Sequence, residues 1–284
     1  MRVVRDRTAP SPDGAVRERV VPVWGDGEAY EPYIGRWSRR VAEEFVRRLD
    51  VPAGAAWWDV GCGTGAVTRA VVEAADPGRV VGADPSESYL RYARRAIGDP
   101  RAGFVRADAR RLPAPDGAAG AAVSGLVLNF VPEPARAAAE MLRVLRPGGL
   151  AAVYVWDYTQ GGMGLLRHFW EAAAEVDADA ARLDEGARFP LCAPEPLRLL
   201  LRGSGLADVT VGEIVVPTRF RDFADYWEPF RGGQGPAPAY LASLPEARRE
   251  LLRERLRASL PAAADGSITL SARAWTAGGR RPSR

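Results

Sequence analysis

One short segment of the chain combines glycines and a carboxylate in a pattern that suits a nucleotide-type cofactor. The apolar run Ala56 to Val60 leads into Gly61-Cys62-Gly63-Thr64-Gly65, and a helical pattern starts at about Ala66. Glycines between a strand and a helix let the backbone turn tightly and let a ligand approach atoms that a Cβ would shield. This segment is the first candidate for a cofactor-binding loop.

Two kinds of cofactor fit this loop. Gly61, Gly63 and Ala66 satisfy the G-x-G-x-x-G/A dinucleotide fingerprint, and Asp84 stands where either cofactor needs a carboxylate for its ribose hydroxyls. Asp59, two positions before the first glycine, separates the alternatives, because a dinucleotide-binding strand usually carries an apolar residue there. A carboxylate at that position can hold the ammonium of an amino-acid cofactor.

A third acid, Asp108, follows the next apolar run, Phe104 to Arg106, at a similar spacing. Its carboxylate can accept a hydrogen bond from an adenine amino group while Ala109 lies against the ring. Three acids at the ends of successive strands predict a pocket for an adenosyl amino acid.

The composition limits the catalytic chemistry. All 39 basic residues are Arg, against 36 acidic residues, and the chain has one His, His168, and two Cys, Cys62 and Cys192. Schiff-base and P-loop lysine chemistry are excluded, and no His/Cys zinc cluster or disulfide framework can be built, so we expect no metal. Cys62 is expected to fill space in the loop. His168 is a candidate general base, and Asp157 is a second candidate catalytic residue.

The charge pattern does not favour nucleic acid. An excess of +3 is slight for 284 residues, and Arg alternates with acids through most segments. Residues 1–27 form a charged, Pro-containing arm that we expect to be flexible, and it has neither the apolar core of a signal peptide nor that of a membrane span. We therefore expect a cytoplasmic protein with a small-molecule substrate and no nucleic-acid or membrane partner.

Residues 28–284 read as one α/β domain in which short apolar runs alternate with amphipathic segments. Strands are predicted in five early segments, and helices lie between them. The regular alternation stops after Trp156, and two inserted helical segments, at about 158–192 and 218–264, are expected to form a lid. A last strand, antiparallel to the others, is predicted at Ser267 to Trp275. The predicted early strands are Ala56 to Val60, Val80 to Ala83, Phe104 to Arg106, Ala118 to Phe130 and Leu150 to Trp156.

Four motifs occur in one order between Tyr30 and Trp156, and together they resemble the class I S-adenosylmethionine-dependent methyltransferases. Within that superfamily the chain is similar to the small-molecule branch, methyltransferase type 11, which includes ubiquinone and menaquinone methyltransferases. The resemblance implies a Rossmann-like seven-stranded sheet of order 3-2-1-4-5-7-6, with the cofactor at the carboxyl ends of strands one to four. The motifs are Trp58 to Gly65, Gly82 to Ser86, Ala107-Asp108-Ala109 with Leu112-Pro113, and Met141 to Gly149.

The same resemblance implies roles for individual residues. Gly61, Gly63 and Gly65, with Cys62 between them, would pass under the methionine part of the cofactor. Asp84, followed by Pro85 and Ser86, would bind the ribose, while Asp108 and Ala109 would contact adenine. Asn129 and Phe130 fall where the family lines the methyl-donor region, and Tyr33 or Trp37, in an N-terminal cover, could face the sulfonium by cation–π contact.

Substrate-binding residues are expected at the start of the lid and on its aromatic segments, since aromatic side chains exclude water and grip flat organic molecules. The candidates are Tyr158, Trp170, Arg188, Tyr226 and Trp227.

The predicted activity is in-line transfer of a methyl group from S-adenosylmethionine to an oxygen, nitrogen or carbon atom of a small organic acceptor, of the kind found in secondary metabolism. Such a reaction needs a positioned nucleophile, a dry site and a proton acceptor only where the nucleophile carries a proton. Two alternatives stay open at this point: a protein of this fold that binds the cofactor but catalyses a non-methylating step, and an NAD-dependent oxidoreductase.

Overall fold

Seven strands form a single sheet in the order β3-β2-β1-β4-β5-β7-β6. The computed structural model describes residues 30–159, 161–232 and 235–283. β1 to β5 run parallel, whereas β7 is antiparallel to both β5 and β6. The predicted fold class and strand order are therefore confirmed. The predicted arm, residues 1–27, lies outside the described residues.

The strands are largely those that the apolar runs predict, with longer ends in the second half of the chain. The strands are β1 (Ala56–Val60), β2 (Arg79–Asp84), β3 (Ala102–Arg106), β4 (Ala119–Gly125), β5 (Leu145–Trp156), β6 (Ala207–Phe220) and β7 (Ile268–Arg280). The apolar run predicted as the fourth strand continues to Phe130, but β4 ends at Gly125. Leu126 then takes a left-handed conformation, φ 64°, which an extended strand cannot contain.

Helices cover both faces of the sheet. The helices are α1 (Arg36–Arg47), α2 (Ala66–Ala74), α3 (Glu87–Ala96), α4 (Pro134–Val144), α5 (Gly164–Val176), α6 (Glu185–Arg188), α7 (Pro194–Gly203), α8 (Phe223–Trp227), α9 (Pro236–Ser243) and α10 (Glu246–Ser259). A π-helical turn, Glu31–Gly35, precedes α1. No helix within the described ranges is long and apolar enough to cross a membrane.

The helices of the two inserted segments pack together, whereas α7 packs against α4, β6 and β7. α5 contacts α10 and α9, and the 3-10 turn Glu228–Gly232 contacts the π-helical turn before α1. Stacked and edge-on rings join these elements: the Phe169 and Phe230 centroids are 4.6 Å apart, and Tyr33 lies 5.3 Å from Phe230. The two inserted segments thus share a buried aromatic cluster with the N-terminal helix.

The turn from β1 into α2 depends on a backbone conformation that favours glycine. Gly65 has φ +90°, and a Cβ there would lie 2.7 Å from Ile97 Cδ1. Gly65→Ala is expected to lower the free energy of unfolding by about 1–3 kcal/mol, because it combines a left-handed residue with a clash. Urea denaturation measures the change.

Gly98→Ala is the matched control, since nothing lies within 4 Å of a Cβ at Gly98 and its φ is not in the left-handed range. That variant should be neutral or slightly stabilising. Equal stability of the two variants would show that the turn is not under this constraint.

Candidate active site

A cavity of about 300 Å³ opens at the carboxyl ends of β1, β2, β4 and β5. Parallel strands expose such a crevice where the strand order reverses, which here is between β1 and β4. The cavity is lined by eleven of the residues singled out from the sequence. They are Asp59, Gly61, Cys62, Gly63, Asp84, Pro85, Ser86, Asp108, Ala109, Phe130 and Tyr158.

Asp59 is buried at the end of β1 with its two carboxylate oxygens in different situations. Oδ2 accepts hydrogen bonds from the backbone N–H of Thr68, at 2.9 Å, and from its hydroxyl, at 2.7 Å. Oδ1 is buried without a hydrogen-bond partner among the described residues. Burial raises the pKa of Asp59 to about 7, and the nearby Asp84 adds to the rise. The free oxygen of such a group can accept a hydrogen bond from a cationic ligand.

Asp84, at the end of β2, fastens the glycine loop to the following helix. Its Oδ2 accepts from the Gly63 N–H at 3.0 Å, and its Oδ1 accepts from the Ser86 N–H at 2.8 Å. Burial raises the pKa of this carboxyl despite both bonds. Each oxygen keeps acceptor capacity, so the side chain can also take two ligand hydroxyls.

Asp108 differs from the other two acids because it lies at the rim, with a side chain that is 48% exposed. The guanidinium of Arg110 binds both of its oxygens, the shortest distance being 2.7 Å, and lowers the pKa of Asp108 to about 2. Arg110 also pairs with Glu133. Asp108 is thus ionised and fixed beside Ala109, which is buried in the cavity wall.

The electrostatics of the cavity favour a cationic ligand. Three aspartates line it, and no Arg or His belongs to its lining among the described residues. An adenosyl amino acid with a sulfonium and an ammonium fits this set: Asp59 Oδ1 can take the ammonium, Asp84 a ribose and Asp108 an adenine amino group. Among the described residues no group of His, Cys, Asp and Glu is arranged to hold a metal ion.

Comparison with known proteins decides between the cofactors. Residues 58–153 match the family model of the methyltransferase domain. A trans-aconitate 2-methyltransferase of Azoarcus sp. (strain BH72) is 30% identical over 230 residues, covering 78% of this chain and 88% of that protein. This chain belongs to the class I S-adenosylmethionine-dependent methyltransferases. Its cofactor is S-adenosylmethionine, and the nicotinamide alternative is set aside.

Solved structures share the fold at low sequence identity. A protein of Anabaena variabilis, described as a methyltransferase from an antibiotic biosynthesis pathway, has a TM-score of 0.59 at 20% identity, covering 84% of this chain and 96% of that one. Phosphoethanolamine N-methyltransferase 2 of Haemonchus contortus, solved with S-adenosylhomocysteine, has a TM-score of 0.53 at 16% identity, covering 90% of this chain and 56% of that one.

The N-terminal helix of the methyltransferase presents a different face to the cavity from the one that the sequence suggested. Tyr33 and Trp37 are expected at the sulfonium, but neither lines the cavity; Tyr33 packs on Phe230, and Trp37 packs on Phe220 at 5.3 Å. They belong to the apolar stripe that continues through Val41 and is buried in the core. The neighbouring stripe, Tyr30, Ile34 and Ser38, lines the cavity instead.

Two further residues expected at the cofactor are not in the cavity lining. Gly65 shapes the turn into α2 behind the cavity wall. The Asn129 amide donates to Cys192 Sγ at 3.1 Å. The next residue, Phe130, does line the cavity and is 38% exposed.

Most aromatic lid residues expected to touch substrate are core residues. Trp170 Nε1 donates to the buried carboxylate of Glu185. The Tyr226 hydroxyl donates to the Leu165 carbonyl at 2.8 Å, and Trp227 packs against Phe230. None of the three lines the cavity, because the inserted helices need an apolar core of their own.

Arg188, also expected to bind substrate, is exposed, with its guanidinium 5.9 Å from the Phe189 ring. Tyr158, by contrast, is expected to bind substrate and does line the cavity. Its ring lies 5.8 Å from Phe189, which in turn lies 5.0 Å from Phe130. These three rings form an aromatic wall between the end of β5 and the loop after β4.

The two candidate catalytic residues lie outside the cavity lining. His168 is half-buried on the flank of α5, whose apolar face turns towards the core. Asp157 is fully buried just after β5; its Oδ2 binds Arg273 at 2.8 Å, and its Oδ1 accepts from the Thr159 N–H and hydroxyl. With both oxygens engaged, Asp157 joins β5 to β7 rather than serving as a base.

Sequence reasoning missed several lining residues whose spacing does carry a signal. Tyr154 and Trp156, at the end of β5, share one face of the sheet, and Tyr158, which the sequence does predict, follows two positions after Trp156. All three line the cavity, and Leu126 and Val127 line it after β4.

Asp157→Asn is expected to lower the free energy of unfolding by about 3 kcal/mol, because it leaves the Arg273 guanidinium short of its buried partner. Affinity for S-adenosylhomocysteine should stay unchanged. Chemical denaturation and isothermal titration calorimetry measure the two quantities.

Asp50→Asn is the control, since Asp50 also pairs with an arginine of β7, Arg280, but its side chain is 97% exposed. That variant should lose less than about 1 kcal/mol. A stable Asp157→Asn protein that no longer binds the ligand would return Asp157 to the active site.

Proposed function

We propose that this methyltransferase holds S-adenosylmethionine across the ends of β1, β2 and β4 and methylates a small, uncharged, largely aromatic acceptor, of the kind found in secondary metabolism. The acceptor atom would be an oxygen, nitrogen or carbon. The observation that carries the cofactor placement is the unpaired, buried Oδ1 of Asp59 in a cavity lined by two more acids.

The contacts of the cofactor are inferred from the positions of the three aspartates that line the cavity. Asp59 would bind the ammonium of the methionine end, while Asp84, bound to the glycine loop, would accept from the ribose hydroxyls. Asp108 would accept from the adenine amino group. Together they compensate the positive charge that a bound sulfonium brings into a buried site.

When bound, S-adenosylmethionine supplies a methyl group on a positively charged sulfur, and the protein must place a nucleophile in line with it. Apart from the three aspartates assigned to the cofactor, the described residues of the cavity wall supply shape and apolar surface rather than a carboxylate or imidazole base. Tyr30, Tyr154 and Tyr158, which line the cavity, stay protonated at neutral pH. Burial raises the pKa of Tyr30, and it raises the pKa values of Tyr154 and Tyr158 well above their usual value. An acceptor with an acidic hydroxyl, an enolic carbon or a free amine can act as the nucleophile without a side-chain base, so such an acceptor suits this cavity.

The acceptor class is inferred from the apolar wall of the cavity. Phe130, Tyr158 and Trp156 with Leu126 and Val127 make this wall apolar and aromatic. The relative from Azoarcus is named for trans-aconitate, a tricarboxylate. An acceptor of that charge would need cationic partners, and the described lining residues include none, so a neutral acceptor suits this cavity better.

The first test uses the pH dependence of cofactor affinity. The ammonium of S-adenosylhomocysteine needs Asp59 ionised, whereas the ligand-free carboxyl has a pKa of about 7. Binding below that pH must therefore release a proton, and affinity is expected to fall by up to about tenfold for each pH unit below 7 and to level off above pH 8. Calorimetry in buffers of different ionisation enthalpy measures affinity and proton release together.

Asp59→Asn should weaken binding at pH 8 and flatten the profile, since the amide can still accept from Thr68 but does not ionise. Asp108→Asn is the control that should keep the slope, because the pKa of Asp108 is about 2. A wild-type profile that is flat between pH 5 and 8 would contradict the assignment of Asp59.

The second test isolates the charge of the acceptor. 2-Naphthol and 2-naphthoate share a ring system but differ in charge, and trans-aconitate adds the tricarboxylate. With protein saturated in S-adenosylhomocysteine, 2-naphthol is expected to bind about tenfold or more tightly than the two anions, because the anions would lose hydration without gaining a cationic partner. Ligand-observed NMR and transfer of labelled methyl from S-adenosylmethionine provide the readouts. Preference for either carboxylate would overturn the proposed acceptor class but leave the cofactor placement intact.

A further inference from the structure

The methionine end of the cofactor carries an ammonium and a carboxylate. The aspartates of the cavity can pair only with the ammonium. Asp59 suits the ammonium, but the adjacent carboxylate needs hydrogen-bond donors. No Arg or His lines the cavity among the described residues. Neutral donors close to Asp59 must therefore take the carboxylate.

Tyr154 is the side chain that the fold brings to this point. It lies on β5 directly opposite Gly125 of β4, its residue is 1% exposed, and it lines the cavity. A Cβ at Gly125 would lie 2.6 Å from the Tyr154 hydroxyl oxygen and from Cζ. The ring thus occupies the space that any other residue at position 125 would fill, and it crosses the end of β4.

The hydroxyl of Tyr154 is available to a ligand. It has no hydrogen-bond partner among the described residues, whereas the Tyr30 hydroxyl pairs with Ser38 Oγ at 3.0 Å and Ser38 donates to the Ile34 carbonyl at 3.1 Å. Burial, with Tyr30 and Asp59 nearby, raises the pKa of Tyr154 well above its usual value. The group is a neutral O–H donor at physiological pH.

We propose that Tyr154 is a cofactor-binding residue whose hydroxyl donates a hydrogen bond to the carboxylate of the methionine end, and that position 125 is glycine so that the ring can reach it. This inference rests on the cofactor placement proposed above. It accounts for how a cavity whose described lining includes no basic side chain would hold an amino-acid zwitterion, because Asp59 would accept from the ammonium and Tyr154 would donate to the carboxylate.

The test compares two ligands that differ by the carboxylate alone, S-adenosylmethionine and decarboxylated S-adenosylmethionine, by calorimetry on the full chain. Tyr154→Phe is expected to lower affinity for S-adenosylmethionine by roughly tenfold or more, as for loss of a hydrogen bond to a charged group, and to leave affinity for the decarboxylated ligand unchanged. Asp59→Asn should weaken both ligands, because both carry the ammonium.

Gly125→Ala is a second variant that should show the same carboxylate-dependent loss, because it displaces the ring without removing the hydroxyl. Tyr240→Phe is the matched control: its buried hydroxyl has no hydrogen-bond partner among the described residues, but the residue does not line the cavity, so both affinities should match those of the wild type. Thermal unfolding confirms that each variant is folded.

Two results would overturn the inference alone: wild-type affinity of Tyr154→Phe for S-adenosylmethionine, or an equal loss for both ligands, which marks a packing role. Failure of the wild-type protein to bind S-adenosylmethionine would instead overturn the cofactor placement on which the inference rests.

Discussion

The burial of the Asp59 carboxyl is the constraint on which the rest of the site depends. An ionised carboxylate loses hydration in the interior, and Thr68 compensates only one of its oxygens. The ligand-free protein therefore holds this group near the midpoint of its titration at pH 7. A cation at Oδ1 would replace the hydration that this oxygen loses on burial. The free-energy cost of burying the Asp59 carboxylate at the end of β1 therefore favours binding of a cation such as an ammonium.

That constraint also explains how the surrounding elements are built. Thr68 can reach Asp59 because α2 starts immediately after the glycine loop, and the loop is held in turn by Asp84 through the Gly63 N–H. Asp84 therefore orients the start of α2, the helix that carries Thr68, the hydrogen-bond partner of Asp59. The two carboxylates also raise each other's energy, which makes a cationic ligand the group that relieves both. Arginine, abundant elsewhere in the chain, lies outside the described cavity wall and pairs with acids such as Asp108 at the rim.

The sequence predicts the sheet and the acids well because each depends on local signals. Strand-end aspartates, the glycine loop and the order of apolar runs are all readable without tertiary contacts, and the strand order follows from the family resemblance. The orientation of helix faces is not local. Trp37 and Ile34 lie on adjacent stripes of one helix, and only the position of the inserted aromatic cluster decides that Trp37 is buried and Ile34 faces the cavity. The same cluster takes Trp170, Tyr226 and Trp227 into the core.

Polar residues show a similar limit, since the chemistry of a side chain does not reveal its partner. Asp157 follows a central strand, as catalytic acids often do, yet Arg273 comes from β7, more than a hundred positions later in the chain, and neutralises it. Tyr154 is the converse case. Within an apolar strand its sequence context suggests packing, and only its position opposite Gly125 places its hydroxyl over the end of β4, in the lining of the cavity that also contains Asp59. Under the binding mode proposed for Tyr154, a glycine that faces an aromatic residue across two parallel strands at a cavity is a pairwise signal for a ligand contact, and neither residue carries that signal alone.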